Sequence, residues 1–258
     1  EAGSRAMIII KTPDDLARMR VSGRMAAEVL DAVAKKIGPG VTTGELNVFA
    51  AEMIDRLGGK SAFFGYRGYP GHICVSVNEE VVHGIPGPRR IQIGDVVSVD
   101  VGVVYDGFVG DTATTVMVGV KDPEVIRLVG TGQRALDTAV ARAVAGARLS
   151  DVSHAIESVA TEAGYAVVRD FVGHGVGRSM HEDPQIPNFG SPGNAPKLKP
   201  DKTLAFEPRI NRGGYEEEVM ADGWTVLTRD RLPSVHFEHT VAVREEGPAE
   251  VLTCTKRK

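Results

Sequence analysis

Apolar residues recur at helical spacing in four stretches of the chain, residues 12–37, 46–57, 122–146 and 152–164. The first stretch opens on Thr12 and Pro13, a capping hydroxyl and a first-turn proline, and two acidic residues follow at the positive end of the predicted helix. A glycine ends each stretch or follows it closely. The pattern predicts four amphipathic helices in two consecutive pairs.

Runs typical of β-strands follow each predicted helix pair. They cover residues 73–78, 96–104 and 108–118 in the first half and residues 204–207, 225–227 and 238–243 in the second. Because helices and strands are segregated instead of alternating, we expect the α+β class with an antiparallel sheet. A shift of 106 positions superimposes the second helix on the fourth, with Gly40 on Gly146 and Gly58 on Gly164. An internal duplication explains this most simply; a chance match between amphipathic helices is the alternative.

Length and composition are those of an ordinary globular chain. The 258 residues are 42% hydrophobic and 25% charged, and the net charge of −4 excludes a strongly basic nucleic-acid scaffold and a highly acidic protein. We expect one domain over residues 7–252, with halves at about 7–120 and 121–252, a tail at 253–258 and a cloning remnant at 1–6. No apolar run approaches the roughly 18 residues of a membrane span. The cysteines, Cys74 and Cys254, lie far apart, which favours a reducing cytoplasm over a disulfide framework.

Asp106 and Gly107 separate two β-rich runs and predict a tight hairpin. In the register that this turn sets, Asp100 faces Ala113, and Asp111 faces the position two residues after Asp100. The two aspartates then share one face of the hairpin as diagonal neighbours, about 7–8 Å apart or less. Their carboxylates either converge on a bound ion or lie on a solvated face, and the hairpin alone does not decide between these.

Other candidate ligands lie in the second half. His174 is flanked by glycines in the sequence GHGVG, Glu207 ends an apolar run before Pro208, and Glu238 lies on a strand-like run. Each residue taken singly has an ordinary structural explanation. Together with the aspartate pair, they form an oxygen-rich set with one nitrogen, which suits divalent Mn, Fe, Co or Zn better than a thiolate site does.

Several longer motifs are specific to one family. They are GYRGYP at 65–70, NEEVVHGIPG at 78–87, VSVDVGVVYDGFVGDTATT at 97–115, GHGVGRSMHEDP at 173–184 and FEHTVAV at 237–243. On these motifs the chain resembles the type I methionine aminopeptidases, which are metallopeptidases of the pita-bread fold. The resemblance implies two pseudo-two-fold halves with a central antiparallel sheet covered by helices. It also implies metal-dependent removal of the N-terminal methionine from nascent proteins and peptides with a small second residue, by attack of a dinuclear-metal hydroxide on the first peptide bond.

The resemblance also assigns roles to individual residues. The implied metal ligands are Asp100, Asp111, His174, Glu207 and Glu238, of which Asp111 and Glu238 would bridge two ions. The implied catalytic residues are His83, His181 and Glu207. The implied substrate-binding residues are Phe63, Tyr66, Tyr69, Cys74, Met180 and Trp224, together with His83 and His181. A peripheral sodium site would involve Asn78, Glu80 and Ser234.

The implied cofactors are two divalent ions (Co, Mn, Fe or Zn) and a candidate sodium ion. The implied partners are nascent polypeptide N-termini and, transiently, the ribosome; we expect a cytoplasmic monomer without nucleic-acid specificity or membrane attachment. Two alternatives stay open. One is another pita-bread aminopeptidase, of the Xaa-Pro type, although such enzymes usually carry an additional N-terminal domain. The other is a non-catalytic binding module.

The chain departs from the family at a few positions near the implied site. Arg209 stands where the family usually has methionine, and Met180 where many bacterial members have phenylalanine. Phe63 and Gly102 stand where others have cysteine and threonine, and Asp201-Lys202 replaces a usual Gly-Met. A long cation close to a metal ligand is expected to alter the surroundings of that ligand, and Arg209 is the residue that keeps the binding-module alternative open.

Overall fold

The structure, a computed structural model, describes residues 8–255, so the expected cloning remnant at 1–6 lies outside the described residues. Within this range the chain forms four α-helices, α1 (Pro13–Lys36), α2 (Thr43–Arg56), α3 (Pro123–Arg142) and α4 (Leu149–Glu162). The strands are β1 (Lys60–Ser61), β2 (Cys74–Val77), β3 (Glu80–Val82), β4 (Val96–Tyr105), β5 (Phe108–Met117), β6 (Ala166–Val167), β7 (Gly173–Gly175), β8 (Glu182–Ile186), β9 (Thr203–Phe206), β10 (Arg209–Asn211), β11 (Glu217–Val219), β12 (Val226–Thr228), β13 (Ser234–His236), β14 (Glu238–Ala242) and β15 (Glu250–Val251). The α+β class expected from the sequence is confirmed.

The predicted helix starts agree with the observed caps. The Thr12 hydroxyl accepts from the Asp15 backbone N–H, and the Asp15 carboxylate accepts from the Thr12 N–H, both at 3.1 Å. The end of the third helix was predicted too late. Helix α3 stops at Arg142, and the chain then turns so that the Gly146 N–H donates to the Leu198 carbonyl.

The largest sheet joins the two halves of the chain. Nine of the strands given above belong to it, seven of them in the order β1-β4-β5-β14-β9-β7-β8, and every pairing is antiparallel. The predicted hairpin register is confirmed, with Asp100 opposite Ala113 and Asp111 opposite Gly102. Strands β5 and β14 are neighbours, so one strand from each half lies at the centre. The remaining strands form two smaller sheets, β13-β10-β6 and β11-β12-β3.

Each helix pair covers its own part of this sheet. The alternate valines of β4 are buried in one apolar cluster with residues of α1 and α2, and α3 and α4 form a second cluster with β9 and β14. A third cluster contains residues of both halves, including Phe63, Phe108 and Ala205. Within residues 8–255, no helix has both the length and the apolar character that crossing a bilayer requires.

The repeat found in the sequence recurs in the hydrogen bonds. The N–H of Gly40 donates to Ile91, and that of Gly146 donates to Leu198. At the start of α2 the Glu45 carboxylate accepts from the N-cap N–H, and Asp151, 106 positions later, does the same at the start of α4. Equivalent hydrogen bonds at the predicted shift favour an internal duplication over a chance match of apolar periodicity.

Candidate metal centre

Five neighbouring strands bring the predicted ligands together. Asp100 lies on β4, Asp111 on β5, Glu238 on β14 and His174 on β7, and Glu207 directly follows β9. These strands are consecutive in the sheet order β4-β5-β14-β9-β7. All five side chains are buried. Residues that are up to 138 positions apart in sequence therefore face one small volume at the middle of the sheet.

The side-chain atoms of this set lie close to one another. The Nε2 atom of His174 is 3.2 Å from Glu207 Oε1 and 3.8 Å from Asp111 Oδ2. Asp111, His174 and Glu238 each offer one ligand atom within 4.8 Å of the others. A second group of the same kind contains Asp100, His236 and Glu238. The two groups share Glu238, and together they form one continuous carboxylate-histidine cluster.

The unsatisfied oxygens in the cluster fit a divalent metal. Asp100 Oδ1, Asp111 Oδ1 and Glu238 Oε1 are buried and have no hydrogen-bond partner within residues 8–255. Burying an unpartnered carboxylate oxygen costs considerable free energy, which a coordinated cation would offset. Carboxylates with one or two imidazoles are donors that Mn, Fe, Co and Zn all accept.

Electrostatics in the cluster also favour a cation. Burial raises the pKa of Asp100 to about 7, and burial with mutual repulsion raises the pKa values of Asp111 and Glu238 well above the usual range. Burial lowers the pKa of His174 to about 4, so its imidazole is neutral at pH 7. The Nδ1 atom of His174 lies 2.9 Å from the Gly175 carbonyl and must donate to it, which leaves the Nε2 lone pair facing the carboxylates.

Two residues of this cluster were not predicted as site residues. Arg209 is only 4% exposed, and its Nη2 atom forms an ion pair with Glu207 Oε2. His236 is also buried, with its Nε2 atom 3.7 Å from Glu238 Oε2 and 3.8 Å from Glu207 Oε2. Because strand side chains alternate, the spacing of two between His236 and Glu238 was a signal that both lie on one face.

A cavity opens onto the cluster and contains the residues assigned to substrate binding. It is lined by the five predicted ligands and by Phe63, Tyr66, Tyr69, Cys74, His83, Met180, His181 and Trp224. Residues to which the sequence analysis assigned no site role also line it, namely Arg67, Asp170, Phe171, Val172, Gln185 and Arg209. Phe63, Tyr69, Cys74 and Met180 are buried in one apolar cluster, and Trp224 packs edge-on against Tyr69 at 5.0 Å between ring centroids. The cavity thus has an apolar end and a charged end.

The two histidines without predicted ligand roles lie between these ends. The His181 ring is 4.4 Å from the His174 ring, and its Nδ1 atom is 2.8 Å from the Tyr66 hydroxyl. The His83 ring contacts Trp224 and Phe171 edge-on. Burial lowers the pKa of each histidine to about 4, so both imidazoles are neutral at pH 7.

The residues of the predicted sodium site are neighbours. The Asn78 carbonyl accepts from the Ser234 N–H at 2.9 Å, and the Glu80 carboxylate accepts from the Val77 N–H and pairs with Arg89. The Asn78 side chain is bound to Asp95 and to the Val96 N–H. These contacts hold the loop in place, and a sodium ion there stays a prediction.

Known proteins resemble this chain over nearly its whole length. The model of metallopeptidase family M24 matches residues 17–245. Methionine aminopeptidase 1 of Bacillus subtilis is 45% identical over 241 residues, 93% of this chain and 97% of that protein. The crystal structure of methionine aminopeptidase from Thermotoga maritima has a TM-score of 0.94 at 46% identity and covers 96% of this chain and 99% of that one.

Prolidase from Pyrococcus furiosus shares the fold with a TM-score of 0.78 at 23% identity, and this chain spans 66% of its length. The predicted pita-bread fold is confirmed by these superpositions. The Xaa-Pro alternative has support from the fold alone, whereas the methionine aminopeptidases match in sequence, length and fold. On these grounds the chain belongs to metallopeptidase family M24 and, within it, to the methionine aminopeptidases.

Proposed function

We propose that this chain removes the N-terminal methionine from peptides and nascent proteins whose second residue is small. The observation that carries the proposal is the cavity, whose apolar end opens directly onto the carboxylate-histidine cluster. A substrate side chain in the apolar end would bring the first peptide bond to the cluster. The names of the Bacillus subtilis and Thermotoga maritima relatives give the same activity.

The chemistry of the apolar end suits methionine. Cys74 and Met180 present polarizable sulfur atoms, and Tyr69 and Trp224 present aromatic rings. A thioether side chain makes favourable contacts with such rings. The rings of Phe63 and Tyr69 are buried at this end. A pocket that these rings close would take a single side chain, so that the enzyme would remove one residue at a time.

The predicted ligands Asp100, Asp111, His174, Glu207 and Glu238 would hold the divalent metal. When bound, such a metal supplies Lewis-acid activation of water and of the scissile carbonyl. The resemblance predicts two ions that share Asp111 and Glu238. The identity of the metal stays open among Co, Mn, Fe and Zn, all of which accept this donor set.

Three side chains of the cavity are assigned roles in the reaction. Glu207 accepts and returns the proton that is transferred during hydrolysis. His181 stabilises the oxyanion: when the Tyr66 hydroxyl donates to its Nδ1, the neutral ring carries its proton on Nε2 and donates from there. His83 hydrogen-bonds the scissile amide. Both histidines act as neutral rings at pH 7, because burial holds their pKa values at about 4.

The partners are nascent-chain N-termini, met in the cytoplasm. Transient ribosome association and a monomeric state belong to this proposal as expectations from the substrate. The non-catalytic alternative is disfavoured because the five predicted ligands are all present and converge.

The test is methionine release from Met-Ala-Ser by the metal-loaded enzyme, the chelated enzyme and a Glu207→Gln variant. We expect release to stop on chelation and to fall by roughly 10²–10⁴-fold in the variant, the range for loss of an acid-base group. An Ala-Pro substrate separates this activity from the Xaa-Pro alternative. Undiminished release after complete metal removal would contradict the proposal, as would cleavage of Ala-Pro without cleavage of Met-Ala.

A further inference from the structure

We propose that the guanidinium of Arg209 takes the place of the second metal ion, so that this centre binds a single divalent ion per chain. The inference rests on the proposed metal-dependent function and concerns only how many ions the centre holds. Arg209 then acts as a cation that is covalently attached to the chain.

The fold places Arg209 inside the cluster. Arg209 opens β10, and β10 pairs with β13 so that Arg209 lies directly opposite His236. Its Nη2 atom contacts Glu207 Oε2, while Glu207 Oε1 faces His174. One carboxylate therefore bridges the arginine on one side and the histidine on the other.

The acids around Arg209 include two members of the second ligand group. Besides Glu207, the acids that act most strongly on its guanidinium are Asp100 and Glu238. Asp100 and Glu238, with His236, are the residues whose ligand atoms converge as one of the two groups of the cluster. The positive charge of Arg209 thus contacts Glu207 directly and acts next on Asp100 and Glu238, which places it among the carboxylates that a second ion would need.

Some hydrogen-bond donors of Arg209 have no partner, and neither do some acceptors on the carboxylates around it. Its Nε and Nη1 atoms are buried and have no acceptor among the residues that the structure describes. Asp100 Oδ1 and Glu238 Oε1 have no donor there either. A buried guanidinium with spare donors beside carboxylates with spare acceptors is held by charge, which is also how an ion is held.

The charge balance favours one ion. In the fully ionised form that coordinates a metal, four carboxylates and one guanidinium give the centre a net charge of −3, from Asp100, Asp111, Glu207, Glu238 and Arg209. One divalent ion reduces this to −1, whereas a second would make a buried centre positive. With an uncharged side chain at position 209, the same carboxylates would balance two divalent ions completely. Because uncompensated charge is costly in the interior, the chain with Arg209 should reject the second ion.

The test counts bound ions directly. Metal-stripped protein is titrated with Mn²⁺ by calorimetry, and the loaded protein is analysed for metal content and by electron paramagnetic resonance. We expect a single Mn²⁺ per chain with the spectrum of an isolated ion. Arg209→Met should bind two ions and show a spin-coupled pair, whereas Arg209→Lys, which keeps the charge, should still bind one.

Arg212→Met is the matched control. Arg212 follows β10 closely but pairs with Asp122 at the surface, so its replacement should leave the single-ion stoichiometry unchanged. Two tightly bound ions in the unmodified protein would overturn the inference, and this result does not depend on any variant folding. It would also be overturned if folded Arg209→Met still bound one ion, or if Arg209→Lys bound two. Failure to release methionine, with one bound ion, would instead count against the proposed function.

Discussion

At the scale of single residues, Phe63 and Gly102 depart together from the residues that the family resemblance predicts, because the large side chain at 63 requires a small residue at 102. A Cβ atom added to Gly102 would lie 2.5 Å from Cε1 of Phe63 and 3.0 Å from Cβ of Ala62. The threonine that the resemblance leads us to expect at this position would not fit beside Phe63. The large residue at 63 and the small residue at 102 are therefore one compensated pair, of which Phe63 lines the cavity.

We expect Gly102→Thr alone to destabilise the protein by about 1–3 kcal/mol, the usual cost of overpacking. Phe63→Cys alone should also destabilise it, because it leaves a cavity. The double variant should be more stable than the sum of the two effects predicts, since each change removes the cause of the other's cost. Urea unfolding of the four proteins measures the coupling, and strictly additive effects would contradict the pairing.

Glu217 makes the stability of the folded protein depend on pH, and the sign of this dependence follows from its pKa. Burial, followed by the negative charge of Asp170, raises the pKa of Glu217 to about 7. The unfolded chain releases this proton near pH 4.5, so between about pH 4.5 and 7 the native state binds more protons than the unfolded state. The contribution of Glu217 to stability is therefore most favourable below pH 4.5, falls as the pH rises through this window, and stays unfavourable above it.

Replacing Glu217 by Gln should raise the melting temperature at pH 8 and change it little at pH 4.5. The control is Glu218→Gln at the neighbouring position, where the side chain is half-exposed and pairs with Arg231. That change should cost at most about 1 kcal/mol, as surface pairs do. An equal gain from Glu217→Gln at both pH values would show that ionisation is not its cause.

At the scale of elements, two glycines of α3 allow the effect of packing on stability to be distinguished from the effect of helix propensity. A Cβ atom on Gly132 would lie 2.7 Å from the buried ring of Phe237, next to the predicted ligand Glu238. Gly130, two residues earlier, is exposed and has no atom within 4 Å of such a Cβ. The first glycine lets the helix approach the sheet, and the second has no such role.

Gly130→Ala should stabilise the protein by about 0.5–1 kcal/mol, because alanine is the better helix former. Gly132→Ala should destabilise it by about 1–3 kcal/mol through overpacking, despite the same gain in propensity. Denaturant unfolding of the two variants gives the comparison. Stabilisation by both substitutions would mean that α3 does not depend on the small residue at 132.

The sequence predicted the long elements well and the short ones poorly. Helix starts and the β4-β5 hairpin depend on local signals, such as the cap at Thr12 and the turn at Asp106, whose φ of 47° is followed by 78° at Gly107. The strands of the two smaller sheets are two or three residues long and too short to show a period. Pairing of β10 with β13, which gives Arg209 and His236 their neighbours, was therefore not predictable. Four of the five predicted ligands lie within strand-like runs that the sequence showed, whereas His174 lies on the three-residue strand β7, where its flanking glycines were the signal.

At the scale of the whole molecule, the candidate metal centre draws its predicted ligands from both halves. Asp100 and Asp111 come from the first half, and His174, Glu207 and Glu238 come from the second. A bound ion therefore stabilises only the state in which both halves are assembled. Its effect on unfolding follows from mass action, since the unfolded chain does not hold these residues together.

Adding a divalent ion at 100 times its Kd should raise the melting temperature of metal-stripped protein by roughly 5–10 °C, the equivalent of about 2.7 kcal/mol. Excess chelator should reverse the shift. A variant with both Asp111→Asn and Glu238→Gln should not respond, because it lacks two central ligands. An equal shift in that variant would place the stabilising ion elsewhere on the protein.

The repeated helix pairs have a consequence for the history of the centre. Suppose that both halves descend from one ancestral half. A precursor made of two copies of that half would have had its central strands meeting at a two-fold axis. Any residue that such a pair placed at the axis would have occurred twice. The predicted histidine ligand His174 and the buried Arg209 both lie in the second half. An asymmetric centre of this kind requires the two halves to differ, which one fused chain permits and a pair of identical chains does not.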